Sequence, residues 1–203
     1  NCKIKINDTQ KKMGDLYIHY GKVEKGSVSI RQSVNLEIDV LKRNNSKAYH
    51  SATHLLHESL RRTLGKHVTQ KGSLVSPERL RFDFSHKKAL KAKELREVEE
   101  LCQKSIAEAE EVTAEVMPLE DAKKIDGVRA VFGEVYPDPV RVVSVGSDTS
   151  VEFCGGTHLT NTAEAENIVL VGKVVVILPN TGRIIQVPSQ PEQEDCCHVE
   201  PIL

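Results

Sequence analysis

The sequence predicts an α+β fold, with a small N-terminal β-rich subdomain followed by a core of long helices on a mostly antiparallel sheet. Residues 28–40 carry apolar side chains on even positions, which is the period-two pattern of a half-buried strand. Residues 47–64 and 88–111 carry them at helical spacing instead. Short runs rich in valine and isoleucine lie between and after these helices and indicate further strands.

The N-terminal subdomain is expected to span residues 1–44. Its period-two stretch consists of Val28, Ile30, Val34, Leu36, Ile38 and Val40. Three glycines, Gly14, Gly21 and Gly26, stand at expected turns. These features predict a small sheet or an open barrel.

The first helix is expected over residues 47–64, with Ser46 as its N-cap and Gly65 at its C-terminal end. His50 and His54 are four residues apart on this helix. Their side chains should therefore lie on the same side of a rigid element.

The core is expected to extend over residues 45–187, and residues 188–203 read as a flexible tail. The further predicted elements are strands over 67–75, 79–84, 112–116, 140–145 and 151–153, helices over 88–111 and 119–125, and a hairpin over 168–178. Cys196, Cys197 and His198 are potential metal ligands, but an incidental cluster in the tail is the favoured interpretation.

Composition narrows the class of protein. No run of about 18 apolar residues is present, so no membrane span is expected. The polar N-terminus does not resemble a secretory signal peptide, and the lack of an initial Met predicts a piece of a longer protein. The five cysteines are odd in number and irregularly spaced, which favours a reducing, cytoplasmic setting over a disulfide framework.

Charge is unevenly distributed, although the formal net charge is only −1. Residues 61–93 contain ten lysines and arginines against two acids, whereas residues 94–126 contain eleven acids against four bases. The basic stretch suits an anionic ligand such as a nucleic-acid backbone. A solvated helix or strand face is the simpler alternative.

Two short motifs carry the strongest chemical signal. HSATH occupies residues 50–54 and CGGTH occupies residues 154–158. Each motif places two metal ligands four residues apart, and together they supply three imidazoles and one thiolate, a ligand set of tetrahedral zinc sites. The two glycines allow the backbone to turn tightly, so that Cys154 and His158 can converge on one ion.

The spacing of the first motif equals that of the zinc-peptidase sequence H-E-x-x-H. Ser51, however, occupies the place of the general-base glutamate. A serine hydroxyl does not carry a proton-accepting charge near neutral pH. A metallopeptidase is therefore disfavoured.

Four separated motifs carry a family resemblance: HSATHLL at 50–56, LGKHVTQKGSLV at 64–75, RLRFDFSH at 79–86 and CGGTH at 154–158. In sequence and order they resemble the editing domain of alanyl-tRNA synthetase, which also occurs as a free-standing alanyl-tRNA editing protein. The resemblance covers about residues 14–165. The editing domain of threonyl-tRNA synthetase shares the two ligand pairs, but Gly-Gly-Thr favours the alanyl family.

The resemblance implies a zinc-dependent hydrolase that removes serine or glycine from mischarged alanine tRNA. Its partners would be the acceptor end of that tRNA and the remaining domains of a synthetase. The implied zinc ligands and catalytic residues are His50, His54, Cys154 and His158. Thr53 matches the position that meets the serine hydroxyl, and Gln70 matches a polar residue of the editing pocket.

Elementary energetics make a separate editing site sensible. A pocket for a methyl side chain discriminates against glycine or serine by only about 10–200-fold. A buried hydroxyl such as that of Thr53 would reward serine with a hydrogen bond worth about 0.5–1.5 kcal/mol net. The alternative is that Thr53 only bonds or packs within its helix.

Three functions follow from a zinc site of this kind. The first is editing, with zinc polarising the ester or activating water and no acyl intermediate on Cys154. The second is a zinc-stabilised tRNA-binding module without activity, because four protein ligands are typical of structural zinc. The third is hydrolysis of another ester or amide.

Overall fold

A computed structural model describes residues 2–14, 16–131, 134–171, 174–177 and 183–186. The expected tail over residues 188–203 and its Cys-Cys-His cluster lie outside the described residues. The chain divides into two compact units, the first of which reaches Ile38 and the second of which begins at Asp39.

The first unit contains an antiparallel hairpin. Its strands are β1 (Lys3–Lys12) and β2 (Leu16–Lys25), paired from Lys3 opposite Lys25 to Lys12 opposite Leu16. Gly14 adopts a φ of 85°, a left-handed conformation that favours glycine in the connecting turn. The predicted β structure is present in this part of the subdomain.

The strand expected over residues 28–40 does not form. Residues 27–39 are without regular secondary structure. Ile30 and Leu36 are 95% and 72% exposed. A strand needs a neighbouring strand for its backbone hydrogen bonds, and a period-two pattern says nothing about whether one is available.

Helix α1 (Val40–Leu64) begins seven residues before its expected start at residue 47. Asp39 is the N-cap, because its carboxylate accepts a hydrogen bond from the backbone N–H of Lys42 at 3.0 Å. Ser46 was expected to cap the helix but lies inside it, where its hydroxyl donates to the carbonyl of Lys42. The expected C-terminal cap, Gly65, is confirmed. Aspartate and serine cap helices about equally well, so the sequence did not decide between them.

The other predicted helices and strands that fall on described residues are present, and all but the strand over 140–145 have shifted ends. In chain order they are β3 (Gln70–Val75), β4 (Leu80–Phe84), α2 (Ala92–Ala107), β5 (Val112–Met117), α3 (Leu119–Ala122), β6 (Val140–Val145), β7 (Ser150–Phe153), β8 (Ile168–Val171) and β9 (Val174–Ile177). A short 3₁₀ helix (Thr162–Ala165) and strand β10 (Arg183–Gln186) were not predicted.

The α+β class is confirmed, but the single sheet expected for the core is not observed. The described strands of the second unit form three small antiparallel sheets, ordered β3-β4, β5-β6-β7 and β8-β9-β10. The strands of the core are thus divided among three sheets, whereas the sequence predicted one sheet.

The main core lies around α1. Leu55, Leu56 and Leu60 on this helix are each at most 2% exposed and join Val98 and Cys102 of α2 in one cluster. Burying a leucine side chain contributes about 1.5–3 kcal/mol, so the leucine face of α1 fixes this helix firmly. No helix in the described part of the chain is long and apolar enough to cross a membrane.

Strand β6 has apolar residues on both faces. Val143 and Val145 belong to the main core, whereas Val140 and Val142 belong to a second cluster with Phe153 of β7. The β5-β6-β7 sheet therefore carries a core on each side, which fixes the loop that follows β7.

Candidate metal centre

The structure brings the two ligand pairs together. The ligand atoms of His50, His54, Cys154 and His158 all lie within 4.8 Å of one another. The Cys154 Sγ atom is 3.4 Å from His50 Nε2 and 3.3 Å from His158 Nε2. Zinc–nitrogen and zinc–sulfur bonds of about 2.0–2.1 and 2.3 Å at a tetrahedral angle place these atoms about 3.5 Å apart. The two distances from the thiol match this value, and the donor set is one that zinc takes.

Two elements supply the ligands. His50 and His54 lie one turn apart on α1, with ring centroids separated by 5.5 Å. The His158 ring approaches from the loop after β7, with centroid distances of 4.2 Å to His50 and 4.5 Å to His54. Three imidazoles thus surround one point beside the Cys154 thiol.

The loop after β7 is tied to the neighbouring strand β6. Arg141 Nη1 donates to the carbonyl oxygens of Cys154 and Gly156, both at 2.8 Å. The Cys154 N–H in turn donates to the Arg141 carbonyl at 3.0 Å. One arginine side chain therefore holds both ends of the tight turn that presents the thiol.

The two glycines of this loop have different surroundings. A Cβ atom on Gly156 would lie 1.8 Å from His50 Cε1, whereas a Cβ atom on Gly155 would meet nothing within 4 Å. The second glycine is therefore required by the close approach of a ligand side chain, and the first is not.

Ser51 supports the candidate ligand His158. Its Oγ atom lies 3.2 Å from His158 Nδ1 and accepts a hydrogen bond from the Leu159 N–H at 3.0 Å. With Nδ1 occupied in this way, the Nε2 atom of His158 is the nitrogen that faces Cys154. Ser51 thus has a hydrogen-bonding role that differs from the general-base role of the peptidase glutamate.

A buried carboxylate lies next to the cluster. Glu152 Oε2 is 3.9 Å from His54 Nδ1, and Oε1 is 3.5 Å from His57 Nδ1 and 3.1 Å from Arg129 Nη1. Burial alone would raise the pKa of Glu152, but His54, His57 and Arg129 outweigh it and lower the pKa to about 2. Glu152 is therefore an anion at neutral pH.

The environment keeps the candidate ligands uncharged. Burial, followed by repulsion from neighbouring groups, lowers the pKa of His50 to about 4 and that of His158 to about 2. Burial also lowers the pKa of His54 and raises that of the Cys154 thiol. Neutral imidazoles are the metal-binding form, and a metal ion that binds here displaces the thiol proton.

The two candidate substrate-binding residues, Thr53 and Gln70, lie on different elements, α1 and β3. Thr53 is buried on α1, and its hydroxyl donates to the Tyr49 carbonyl at 2.9 Å. Its oxygen lone pairs are still able to accept a hydrogen bond. Gln70 begins β3, and its Nε2 donates to Ser73 Oγ at 3.2 Å. Their roles toward a substrate remain predictions.

Sequence reasoning missed three residues of this region: Glu152, Arg129 and Arg141. A signal was present for two of them, because Glu152 stands between Val151 and Phe153, and Arg141 lies in the valine-rich strand β6. A charge inside an otherwise apolar strand implies a buried partner.

Part of the basic stretch is used internally. Arg61 donates to the Lys66 and Val68 carbonyls, and three further side chains form ion pairs, namely Arg62 with Glu58, Arg81 with Asp83, and Lys93 with Glu97. Five further lysines of the stretch are exposed, namely Lys66, Lys71, Lys87, Lys88 and Lys91. They are the candidates for contact with an anionic partner.

Residues 140–184 match the family described as the threonyl and alanyl tRNA synthetase second additional domain. This match includes the CGGTH loop and extends beyond residue 165, where the motif resemblance ended.

Over most of its length the chain is similar to alanine–tRNA ligases. It is 46% identical to that of Bradyrhizobium diazoefficiens over 184 residues and 45% identical to that of Rhodopseudomonas palustris over 181 residues. These alignments cover 86% and 84% of this chain but only 20% of each relative, so the chain spans about a fifth of their length. The ligase of Nitrobacter winogradskyi is 46% identical, over 86% of this chain and 21% of that protein. The resemblance inferred from the four motifs is confirmed.

Proposed function

We propose that this chain is a zinc-dependent editing domain of the alanyl-tRNA synthetase type, which hydrolyses the ester of serine or glycine on alanine tRNA. The observation that carries the proposal is the convergence of His50, His54, Cys154 and His158 in a segment similar to alanine–tRNA ligases. The partners are the mischarged tRNA and the remaining domains of a synthetase.

The four side chains would hold a zinc ion that supplies Lewis-acid polarisation of the ester carbonyl. In the overall reaction, water adds to the acyl carbon and the bond to the ribose oxygen breaks. Free amino acid and the ribose hydroxyl are the products. Ser51 and Arg141 would hold the ligands in position. Ser51 contacts His158, and Arg141 contacts the loop that carries Cys154.

The exposed lysines of the basic stretch are suited to the phosphates near the acceptor end. Lys66 and Lys71 flank the start of β3, and Lys87 and Lys88 follow the end of β4. Because β3 and β4 are antiparallel partners, these two ends lie side by side. Contacts of this type add affinity without reading sequence, and they weaken as salt increases.

The decisive experiment offers the chain alanine tRNA charged with labelled serine or labelled alanine. We expect serine to be released and alanyl-tRNA to survive. A chelator should abolish serine release, and added zinc should restore it. Failure to cleave either ester in the zinc-loaded protein would contradict the proposal.

The alternative is a tRNA-binding module in which zinc is purely structural. The full set of four protein donors favours it, since closed sites of this kind are usually structural. This alternative predicts tight binding of alanine tRNA with both esters left intact. It also predicts that chelation lowers helix content together with binding.

Serine selectivity tests the role proposed for Thr53. We expect Thr53→Val to narrow the preference for seryl-tRNA over alanyl-tRNA by roughly the value of one neutral hydrogen bond, about 5-fold. Thr53→Ser is the matched control, because it keeps the hydroxyl that bonds to the Tyr49 carbonyl. If both variants discriminate like the original chain, Thr53 serves the helix alone.

A further inference from the structure

A buried polar network connects α1 to β7 behind the candidate metal ligands. Strand β7 alternates: Val151 and Phe153 pack into the second core, whereas Ser150 and Glu152 are buried on the other side. Glu152 is only 9% exposed. Its two carboxylate oxygens face the Nδ1 atoms of two histidines of α1 that are three residues apart, His54 and His57.

The Nδ1 atom of His54 needs a partner. It is buried and makes no hydrogen bond within the described part of the chain, and Glu152 Oε2 faces it at 3.9 Å. Buried polar nitrogens in proteins are almost always paired, so a small rotation that shortens this separation is favoured. With Nδ1 directed at the carboxylate, Nε2 is the His54 nitrogen left for an ion.

The carboxylate itself is held from behind. Arg129 Nη1 and Ser150 Oγ contact Glu152 Oε1 at 3.1 and 2.8 Å. Arg129 Nη2 also bonds to Glu58 of α1. Glu152 therefore cannot swing away without breaking buried contacts, and Arg129 compensates its charge.

We propose that Glu152 is a positioning residue for the metal centre, which accepts the Nδ1 proton of His54 and thereby fixes the tautomer that presents Nε2 to the ion. The proposal rests on the proposed function, in that it takes these ligands to bind zinc. A carboxylate behind a ligating histidine fixes the orientation of the ring and raises its basicity.

The test compares two variants that remove one carboxylate charge each from the same network. Glu152→Gln removes the group that faces His54. Glu58→Gln is the matched control, since Glu58 also pairs with Arg129 but its other ion pair is with Arg62 and not with a candidate ligand. The readout is the dissociation constant of Co²⁺ for each variant and for the original chain. Binding is monitored through the visible absorption of Co²⁺ and its thiolate charge-transfer band.

We expect Glu152→Gln to weaken Co²⁺ binding by roughly 10–100-fold and Glu58→Gln to leave it near the original value. Equal affinity of a folded Glu152→Gln chain would overturn the positioning role while leaving the metal site intact. Equal weakening by both variants would also overturn it, because the loss would then reflect general destabilisation of the fold. If the original chain does not bind Co²⁺, the proposed metal site itself is wrong.

A second measurement needs no variant to fold. Nitrogen NMR of isotope-labelled histidine in the zinc-loaded original chain reports which ring nitrogen carries the proton. We expect His54 to be protonated at Nδ1. Protonation at Nε2, or zinc bound through Nδ1, would overturn the proposal whatever the variants do.

Discussion

Gly156 is the residue at which the geometry of the site permits the least change. A methyl group there would overlap His50 Cε1 at 1.8 Å, so the ligand ring or the loop must move. We expect Gly156→Ala to weaken metal binding and seryl-tRNA hydrolysis by at least roughly tenfold, since an ångström-scale displacement of a reacting group costs that much or more. Co²⁺ titration and the deacylation assay measure the two effects.

Gly155 provides the matched control one residue away. Its added Cβ atom would meet nothing within 4 Å, and the residue is exposed. Gly155→Ala should therefore bind metal and cleave ester like the original chain. Equal losses in both variants would mean that the loop needs glycine for its backbone freedom and not for space beside His50.

At the scale of elements, Arg141 couples strand β6 to the loop after β7. Its guanidinium bonds to two carbonyls that otherwise lack a charged donor in the described structure. We expect Arg141→Met to lower the free energy of unfolding by about 1–3 kcal/mol, the usual cost of losing hydrogen bonds from a charged group. Metal affinity should fall as well, because the turn that carries Cys154 loses its attachment.

Arg81→Met is a suitable comparison for this substitution. Arg81 lies on β4 and is paired with Asp83 at the surface, where an ion pair contributes only about 0–1 kcal/mol. Urea unfolding of both variants separates the two cases. An Arg141 variant as stable and as tight in metal binding as the Arg81 variant would show that the loop holds its shape by itself.

The sequence predicted elements well where the deciding interactions are local. The leucines of α1, the valines of β6 and the candidate ligand pairs each lie within one segment, so their periodicity or spacing was sufficient. The segment over residues 28–39 was predicted wrongly because strand formation depends on a partner elsewhere. The contact of Glu152 with His54 was missed for a related reason, since it depends on how α1 packs against β7.

For the whole molecule, the candidate metal centre should make stability depend on pH. In the metal-free chain, prepared with a chelator, the pKa of His50 is about 4 when folded, against 6.5 for an ordinary histidine. As the pH falls from about 6.5 to 4, the unfolded chain takes up a proton that the folded chain does not, so the free energy of unfolding decreases. His158, with a pKa of about 2, acts in the same direction.

Glu152 extends this dependence to lower pH. Its pKa is about 2 when folded against 4.5 when unpaired, so its contribution is present above pH 4.5 and is lost as the pH falls toward 2.

His50 and His158 should each contribute a change on the order of 1–3 kcal/mol to the free energy of unfolding between neutral pH and about pH 4. Urea unfolding of the chelated chain at about pH 7, 5.5 and 4.5 measures the decrease. His50→Gln should reduce the slope of the free energy of unfolding against pH, because one proton fewer is taken up on unfolding. A free energy of unfolding that stays constant across this range, or a slope unaffected by that substitution, would contradict the prediction. Either result would mean that these imidazoles are solvated and not held neutral by burial.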